Sequence, residues 1–166
     1  MLYDSSIGLD SQSILCYADA DLGGEEDTSK STSGIVAYPL GPLVMLKLKK
    51  QMVVAQSTMQ AEMSATAYGR VQIDWLRNRI SEIGIGRGIT RRILNDGLNC
   101  VTTLNSGNFQ SDSRHPQLRY HSIDQGIAKG DIEIKHVAGT EMLADALTKA
   151  VGGVKLGEFV EEVGVT

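Results

Sequence analysis

The sequence has little of several features that define whole classes of protein. It contains two cysteines in 166 residues, Cys16 and Cys100. Both lie among apolar residues, so neither a disulfide framework nor a cysteine-based metal cluster is expected. No apolar run approaches the length of a membrane span, and the N-terminus lacks the basic and then apolar segments of a signal peptide. The sequence therefore predicts a soluble intracellular protein with no membrane partner.

Basic residues are absent from the first 27 positions, which carry seven acids. Residues 28–92 reverse this balance with ten basic residues against three acids, and the remainder has six against ten. The net charge of −4 argues against a nucleic-acid partner. The basic middle could nevertheless face phosphates while acids elsewhere hold cations. A mixed, solvated surface explains the same distribution equally well.

The length is that of one domain with a substantial core. Side-chain alternation and turn residues predict strands at about 14–20, 34–40, 43–49, 91–95 and 132–137. Helices are expected from Ser57 to Gly84, at 98–104, at 118–128, from near Thr140, and at 154–163. The short connections between the first three strands indicate an antiparallel meander. The order of elements predicts an α/β protein with a mixed sheet.

The long helix has the clearest local signals. Ser57 is a suitable N-cap, and Gln60 follows three residues later, as in a capping box. Met59, Met63, Ala67, Val71 and Trp75 recur at near-helical spacing. We expect this series to form the buried face, with Trp75 in the core.

Four acids occupy similar places in the predicted elements. Asp19 is late in the first strand and Asp96 follows the fourth, while Glu62 and Asp145 lie near the starts of helices. Such positions can converge at one edge of a sheet, where the repulsion between carboxylates is relieved by Mg²⁺ or Mn²⁺. Two such ions about 3.5–4 Å apart can activate a water and stabilise a leaving oxygen in phosphodiester cleavage. By position alone, an acid at a strand end is more often a cap or a solvated residue.

Seven short segments of the chain occur in the order found in one family. They are YADADLGG, SKSTSG, KKQMVVAQSTMQAEMSA, IDWLRNRISEIG, LNDGLNCVTTL, RYHSI and LADALTK. In these segments the chain resembles the RNase H domain of copia-type retrotransposon polyproteins, from about Leu2 to the C-terminus. The resemblance implies an RNase H-like fold, in which a five-stranded mixed sheet of three antiparallel and then two parallel strands is flanked by helices.

The resemblance also implies a site and a reaction. Asp19, Glu62, Asp96 and Asp145 match the four catalytic acids of the family, which bind two Mg²⁺ ions or Mn²⁺ in their place. Asp21 would then be either exposed or next to the metal ligands without binding a metal ion itself. The implied activity is endonucleolytic cleavage of the RNA strand of an RNA–DNA hybrid during reverse transcription, with 2′-OH contacts distinguishing RNA from DNA. The implied partner is a reverse transcriptase domain of the same polyprotein, and the implied location is the cytoplasm, with virus-like particles as one setting. Residues 1–13 would then be a connecting segment, and residues 14–166 the RNase H-like domain.

Five further residues are candidates for substrate binding. Lys47 and Lys49 share a face of the third strand. They would either contact the phosphate backbone of a hybrid or prevent the edge of the strand from pairing with another chain. Arg70 lies on the long helix, where a solvated face is the more common role. His115 precedes Arg119, which opens the RYHSI segment, and some RNases H use a mobile histidine to help product leave. The sequence does not show which of its three histidines does so.

Departures from the family motivate other hypotheses. Leu22 and Leu46 stand where the family usually has tryptophan, so a domesticated or degenerate copy could serve as a non-catalytic nucleic-acid or protein interaction module. A third hypothesis is DNA strand transfer, although integrases usually carry three acids. A calcium-binding EF-hand loop is disfavoured because Lys30 would stand at its glutamate position. An aspartyl phosphatase is disfavoured because a meander, and not a parallel sheet, follows Asp19 and Asp21.

Overall fold

A computed structural model describes residues 13–24, 27, 29–40, 45–84, 88–107, 114–149 and 153–163. Most of the predicted connecting segment, the turn at 41–42 and most of the polar loop at 107–116 lie outside these residues. The strands are β1 (Ser13–Asp21), β2 (Thr32–Pro39), β3 (Met45–Lys50), β4 (Thr90–Asn95) and β5 (Ile132–His136). The helices are α1 (Thr58–Glu82), α2 (Leu98–Ser106), α3 (Arg114–Ala128), α4 (Asp145–Thr148) and α5 (Gly153–Val163), with a 3-10 turn at Gly139–Glu141.

The five strands form one sheet in the order β3-β2-β1-β4-β5. β1 pairs antiparallel with β2, and β2 with β3, whereas β4 pairs parallel with both β1 and β5. The predicted fold class, a mixed sheet of three antiparallel and two parallel strands, is confirmed. Because β1 and β4 run side by side in the same direction, their carboxyl ends meet at one edge of the sheet.

β1 lies at the centre of the sheet and is buried on both faces. Ile14, Cys16 and Ala18 belong to the core cluster that includes α1, while Leu15 and Tyr17 belong to the cluster on the opposite face, with Phe159 of α5. The predicted alternation of β1 is therefore confirmed. Burial raises the pKa of the Cys16 thiol to about 12, as expected for a reduced core cysteine.

The capping prediction for α1 is confirmed, with one difference. The Ser57 hydroxyl accepts a hydrogen bond from the Gln60 backbone N–H at 3.2 Å. The Gln60 side chain, however, accepts from the backbone N–H of Gln56 at 3.0 Å, and not from that of Ser57. The helix ends at Glu82, and Gly84 adopts a left-handed φ of +79°, as expected of a residue that follows a helix.

The buried face predicted for α1 is wrong in its second half. Val71 is 59% exposed and Trp75 53% exposed, so Trp75 is not a core residue. A series with a step of four residues turns about 40° too far at each step and leaves the core face within a few turns. The sheet side of the helix instead carries Thr66, Gly69 and Ile73, all buried. A Cβ at Gly69 would lie 3.2 Å from the Cys16 sulfur, so glycine permits close packing on β1.

The helix predicted from near Thr140 is also different. The chain forms the 3-10 turn, passes through Met142 in an extended conformation, and begins α4 at Asp145. Met142 and Ala144 are buried in the cluster with Leu15 and Tyr17, and this burial decides the path. No helix among the described residues is long and apolar enough to cross a membrane.

Candidate metal centre and nucleic-acid interface

Three carboxylates from distant parts of the chain meet at the edge where β1 and β4 end. Asp19 lies near the end of β1, Asp96 follows β4, and Asp145 is the first residue of α4. One carboxylate oxygen from each lies within 4.8 Å of those from the other two. Asp19 is fully buried, while Asp96 and Asp145 are partly exposed. The group therefore opens to solvent on one side.

The position of α4 depends on a close approach to the sheet. Gly34 of β2 is paired with Asp19 of β1. A Cβ at Gly34 would lie 2.7 Å from the Thr148 methyl group and 3.1 Å from the Ala144 carbonyl oxygen. Only glycine leaves room for α4 at this point, so Gly34 indirectly sets where Asp145 lies.

The fourth predicted acid, Glu62, lies beside this group but not in it. It is 5% exposed, and its Oε2 accepts a hydrogen bond from the Asn95 amide at 2.7 Å. Burial raises the pKa of Glu62 to about 8, the negative charges of Asp19 and Asp96 act in the same direction, and the hydrogen bond from Asn95 acts against them. The structure thus brings three of the predicted acids together and couples the fourth to them electrostatically.

Asn95 connects these acids, and the sequence reasoning missed it. Its amide nitrogen also donates to the Ala18 carbonyl oxygen at 2.9 Å, and its amide oxygen accepts from the Gly97 N–H at 2.8 Å. Asn95 thereby ties the end of β1 to the turn that carries Asp96. A polar residue at the last position of a buried strand was the signal that could have revealed it, because such a side chain needs hydrogen-bond partners.

Two residues in the LADALTK segment partly compensate Asp19. The Thr148 hydroxyl donates to Asp19 Oδ2, and the Lys149 ammonium lies 3.3 Å from Asp19 Oδ1 and 2.6 Å from Asp145 Oδ1. Burial nevertheless dominates and raises the pKa of Asp19 above its ordinary value. For Lys149, burial lowers the pKa, but the hydrogen bond to Asp145 and the charge of Asp19 outweigh it and raise the pKa overall. The sequence reasoning assigned no role to Thr148 or Lys149.

The donor atoms of the site suit a hard divalent cation. Three carboxylates within 4.8 Å of one another offer oxygen ligands of the kind that Mg²⁺ and Mn²⁺ prefer. Burial is the main cause of the raised pKa of the neighbouring Glu62, and the negative charges of Asp19 and Asp96 add to it, so a bound cation would relieve part of the repulsion between these acids. The residues present therefore fit such an ion, while their metal-binding and catalytic roles stay predictions.

Comparison with known proteins places this geometry in context. The chain is 29% identical over 153 residues to the retrovirus-related Pol polyprotein from transposon RE2 of Arabidopsis thaliana, and 29% identical over 150 residues to that from transposon TNT 1-94 of Nicotiana tabacum. These matches cover 92% and 90% of this chain but 10% and 11% of the polyproteins. The chain thus spans about a tenth of the length of the curated relatives it matches. No protein-family model matches the chain.

Solved structures share its architecture at low sequence identity. LC11-RNase H1, isolated from compost, has a TM-score of 0.58 at 11% identity, over 82% of this chain and 92% of that chain. RNase H1 of the archaeon Halobacterium salinarum NRC-1 has a TM-score of 0.51 at 17% identity, over 88% of this chain and 98% of that chain. The chain has the RNase H fold. Its predicted resemblance to transposon Pol polyproteins is confirmed as well.

A third similar structure is LC11-RNase H1 in complex with an RNA/DNA hybrid. It has a TM-score of 0.52 at 10% identity, over 78% of this chain and 88% of that chain. At this identity the comparison bears on the RNase H fold and not on the residues of the site.

The candidate substrate-binding residues lie elsewhere on the RNase H fold. Lys49 and Arg119 line a groove of about 340 Å³ between β3, α1 and α3, where the Lys49 ammonium lies 5.0 Å from the centre of the Tyr68 ring. Arg119 donates to the Ser64 hydroxyl at 2.5 Å. Lys47 is exposed on β3. Among the described residues, none of these three cations pairs with the acids of the site.

The other candidates have separate surroundings. Arg70 donates to the Ser122 hydroxyl at 2.7 Å and lies 3.5 Å from an Asp74 carboxylate oxygen. The side chain of His115 lies outside the described part of the chain. His136, in contrast, has its Nε2 3.1 Å from the Asp96 carbonyl oxygen. Of the two histidines whose side chains the structure describes, His136 is therefore the one that lies against the turn of the acidic site.

Proposed function

We propose that this chain is a ribonuclease H domain of a copia-type retrotransposon polyprotein, which hydrolyses the RNA strand of RNA–DNA hybrids. The observation that carries the proposal is the meeting of Asp19, Asp96 and Asp145 at the edge of an RNase H fold, with Glu62 beside them. The similarity to transposon Pol polyproteins supports the same context. The similar RNase H1 that was solved with an RNA/DNA hybrid supports the substrate class.

In this proposal Asp19, Asp96 and Asp145 hold two Mg²⁺ ions, with Glu62 as the fourth carboxylate, and Mn²⁺ can substitute. Bound divalent ions would supply activation of water and stabilisation of the leaving 3′ oxygen. The contribution of the chain itself is to orient the carboxylates. Asn95 holds Glu62 through a hydrogen bond, and the Thr148 hydroxyl fixes one oxygen of the buried Asp19.

The remaining assignments follow from the same context. Lys47, Lys49, Arg70, Arg119 and His115 would contact the hybrid. The partner would be a reverse transcriptase domain of the same polyprotein, in the cytoplasm and not at a membrane. Residues 14–166 would form the nuclease domain, and residues 1–13 would connect it to the preceding part of the polyprotein.

A cleavage assay tests the proposal directly. The chain is incubated with an end-labelled RNA–DNA hybrid, duplex RNA or duplex DNA, in Mg²⁺ and in a chelator. We expect cleavage of the RNA strand of the hybrid alone, and only in Mg²⁺. Asp19→Asn and Asp145→Asn should abolish it while melting close to the wild type in circular dichroism. Asp131→Asn is the matched control, because Asp131 lies at the opposite edge of the sheet, ion-paired with Arg91.

Other outcomes would overturn the proposal. Full cleavage by Asp19→Asn or Asp145→Asn would remove these acids from the mechanism. Binding of the hybrid without Mg²⁺-dependent cleavage by the wild type would favour the non-catalytic interaction module instead. That alternative draws on Leu22 and Leu46, which are about two-fifths exposed where the family usually has tryptophan.

A further inference from the structure

Lys149 places a positive charge among the acids of the candidate metal site. It follows the last residue of α4, and its ammonium lies 2.6 Å from Asp145 Oδ1 and 3.3 Å from Asp19 Oδ1. Among the described residues, Lys149 is the cation that forms ion pairs with these acids. The ammonium therefore occupies space between two of the three carboxylates.

A divalent ion held by Asp19 and Asp145 would need oxygens of the same two carboxylates, and the ammonium of Lys149 already contacts one oxygen of each. Mg²⁺ binds carboxylate oxygens at about 2.1 Å, so an ion bound to both oxygens would lie close to the position of the ammonium. Two cations at such a distance repel each other strongly, and each oxygen has a limited number of lone pairs. The ammonium and the ion cannot hold this pair of oxygens at the same time.

The side chain of Lys149 is able to leave. It is 43% exposed, whereas that of Asp19 is fully buried. Rotation about its flexible four-carbon stem would carry the ammonium into water without opening the core. Asp19, in contrast, is fully buried, so a neighbouring cation stabilises its ionised form.

We infer that Lys149 is a tethered competitor of the divalent cation, which neutralises Asp19 and Asp145 in the metal-free chain and is displaced when the cation binds. This inference rests on the proposed function, because it takes the acids to be a cation site. It makes Lys149 a positioning residue that sets the cation concentration the domain requires. It also accounts for a lysine at the one place where a permanent positive charge would weaken metal binding.

Cation binding without nucleic acid tests the inference. The affinity for Mn²⁺ alone is measured by calorimetry for the wild type, Lys149→Met and Lys149→Arg. We expect Lys149→Met to bind Mn²⁺ more tightly by on the order of tenfold, since it removes a charged hydrogen-bond partner of two ligands. Lys149→Arg keeps the charge and should remain near the wild type. Lys135→Met is the matched control, because Lys135 pairs with Glu133 on β5.

A second measurement needs no variant. Lysines of the wild-type chain are acylated with an N-hydroxysuccinimide ester, with and without Mn²⁺, and the labelling of each is read by mass spectrometry. Displacement of the ammonium should raise the labelling of Lys149 several-fold and leave that of Lys135 unchanged. This measurement decides the question if Lys149→Met fails to fold.

The outcomes separate this inference from the proposed function. Equal or weaker Mn²⁺ affinity of a folded Lys149→Met, or labelling of Lys149 that Mn²⁺ does not change, overturns the inference. If Asp145→Asn still abolishes Mn²⁺ binding in that case, the cation site itself stands. If Mn²⁺ binds Asp145→Asn as tightly as the wild type, or binds neither, the cation site and the inference fail together.

Discussion

The raised pKa of Glu62 leads to a prediction about stability in the absence of divalent ions. Burial and the nearby charges of Asp19 and Asp96 raise this pKa from 4.5 to about 8. Between these values the folded chain holds a proton on Glu62 that the unfolded chain has released. The unfolded state therefore binds fewer protons, and the free energy of unfolding must fall as the pH rises from about 4.5 towards 8.

The structure also sets the size of the effect. One pKa unit corresponds to about 1.4 kcal/mol, so a shift from 4.5 to about 8 corresponds to at most about 5 kcal/mol. Glu62→Gln removes the charge and keeps an oxygen that can accept from Asn95. In a chelator, the variant should exceed the wild type in stability by about 4 kcal/mol at pH 8 and by about 1 kcal/mol at pH 5. The pKa of Asp19 is raised as well, so part of the fall in stability with rising pH comes from Asp19.

Urea denaturation at pH 5, 6, 7 and 8, followed by circular dichroism, measures the difference. Glu133→Gln is the matched control. Burial acts to raise the pKa of Glu133, but hydrogen bonds from Arg92 and Lys135 lower it overall. The contribution of ionised Glu133 to the free energy of unfolding is present above the pKa that this residue has in the unfolded chain, and it is lost only as the pH falls below that value. The difference in stability between Glu133→Gln and the wild type should therefore be constant from pH 5 to 8. Identical pH profiles of Glu62→Gln and the wild type would refute the reasoning.

Three further substitutions test the packing around the site. Asn95→Ala should lower the free energy of unfolding by about 2–4 kcal/mol, because it leaves buried partners unsatisfied; a loss under about 1 kcal/mol in urea denaturation would contradict this. Gly34→Ala should lower the free energy of unfolding by about 1–3 kcal/mol, because the added methyl group overpacks against Thr148. It should also weaken Mn²⁺ binding in calorimetry, and an unchanged affinity would mean that α4 need not approach β2 so closely. Trp75→Ala should lower the free energy of unfolding by less than about 1 kcal/mol, since half of the side chain is exposed. A decrease of about 3 kcal/mol or more would show that Trp75 belongs to the core.

Several features of the fold could be predicted from local pattern alone. β1 alternates between two buried faces, so its period of two was visible along the sequence. The N-terminus of α1 depends on Ser57 and its near neighbours, and such local hydrogen bonds can be read from spacing. The expectation that Asp19 and Asp96 lie together needed more than local pattern, namely the mixed sheet with parallel strands that the family resemblance implied.

Other features depend on contacts between distant residues. The exposure of Trp75 follows from which side of α1 the sheet occupies, and an i+4 series does not determine that. The position of Asp145 depends on the room that Gly34 leaves, more than a hundred residues earlier in the chain. The pairing of Lys149 with Asp19 joins residues 130 positions apart. Sequence spacing contains no information about such distances.

The central claim is that Asp19, Asp96 and Asp145 together bind divalent cations. Anomalous X-ray scattering from crystals of the chain soaked in Mn²⁺ tests it most directly. The account predicts anomalous peaks at coordination distance from carboxylate oxygens of all three aspartates, with none at this edge of the sheet in crystals of Asp145→Asn. Peaks confined to other parts of the surface, or the same peaks in the variant, would contradict it.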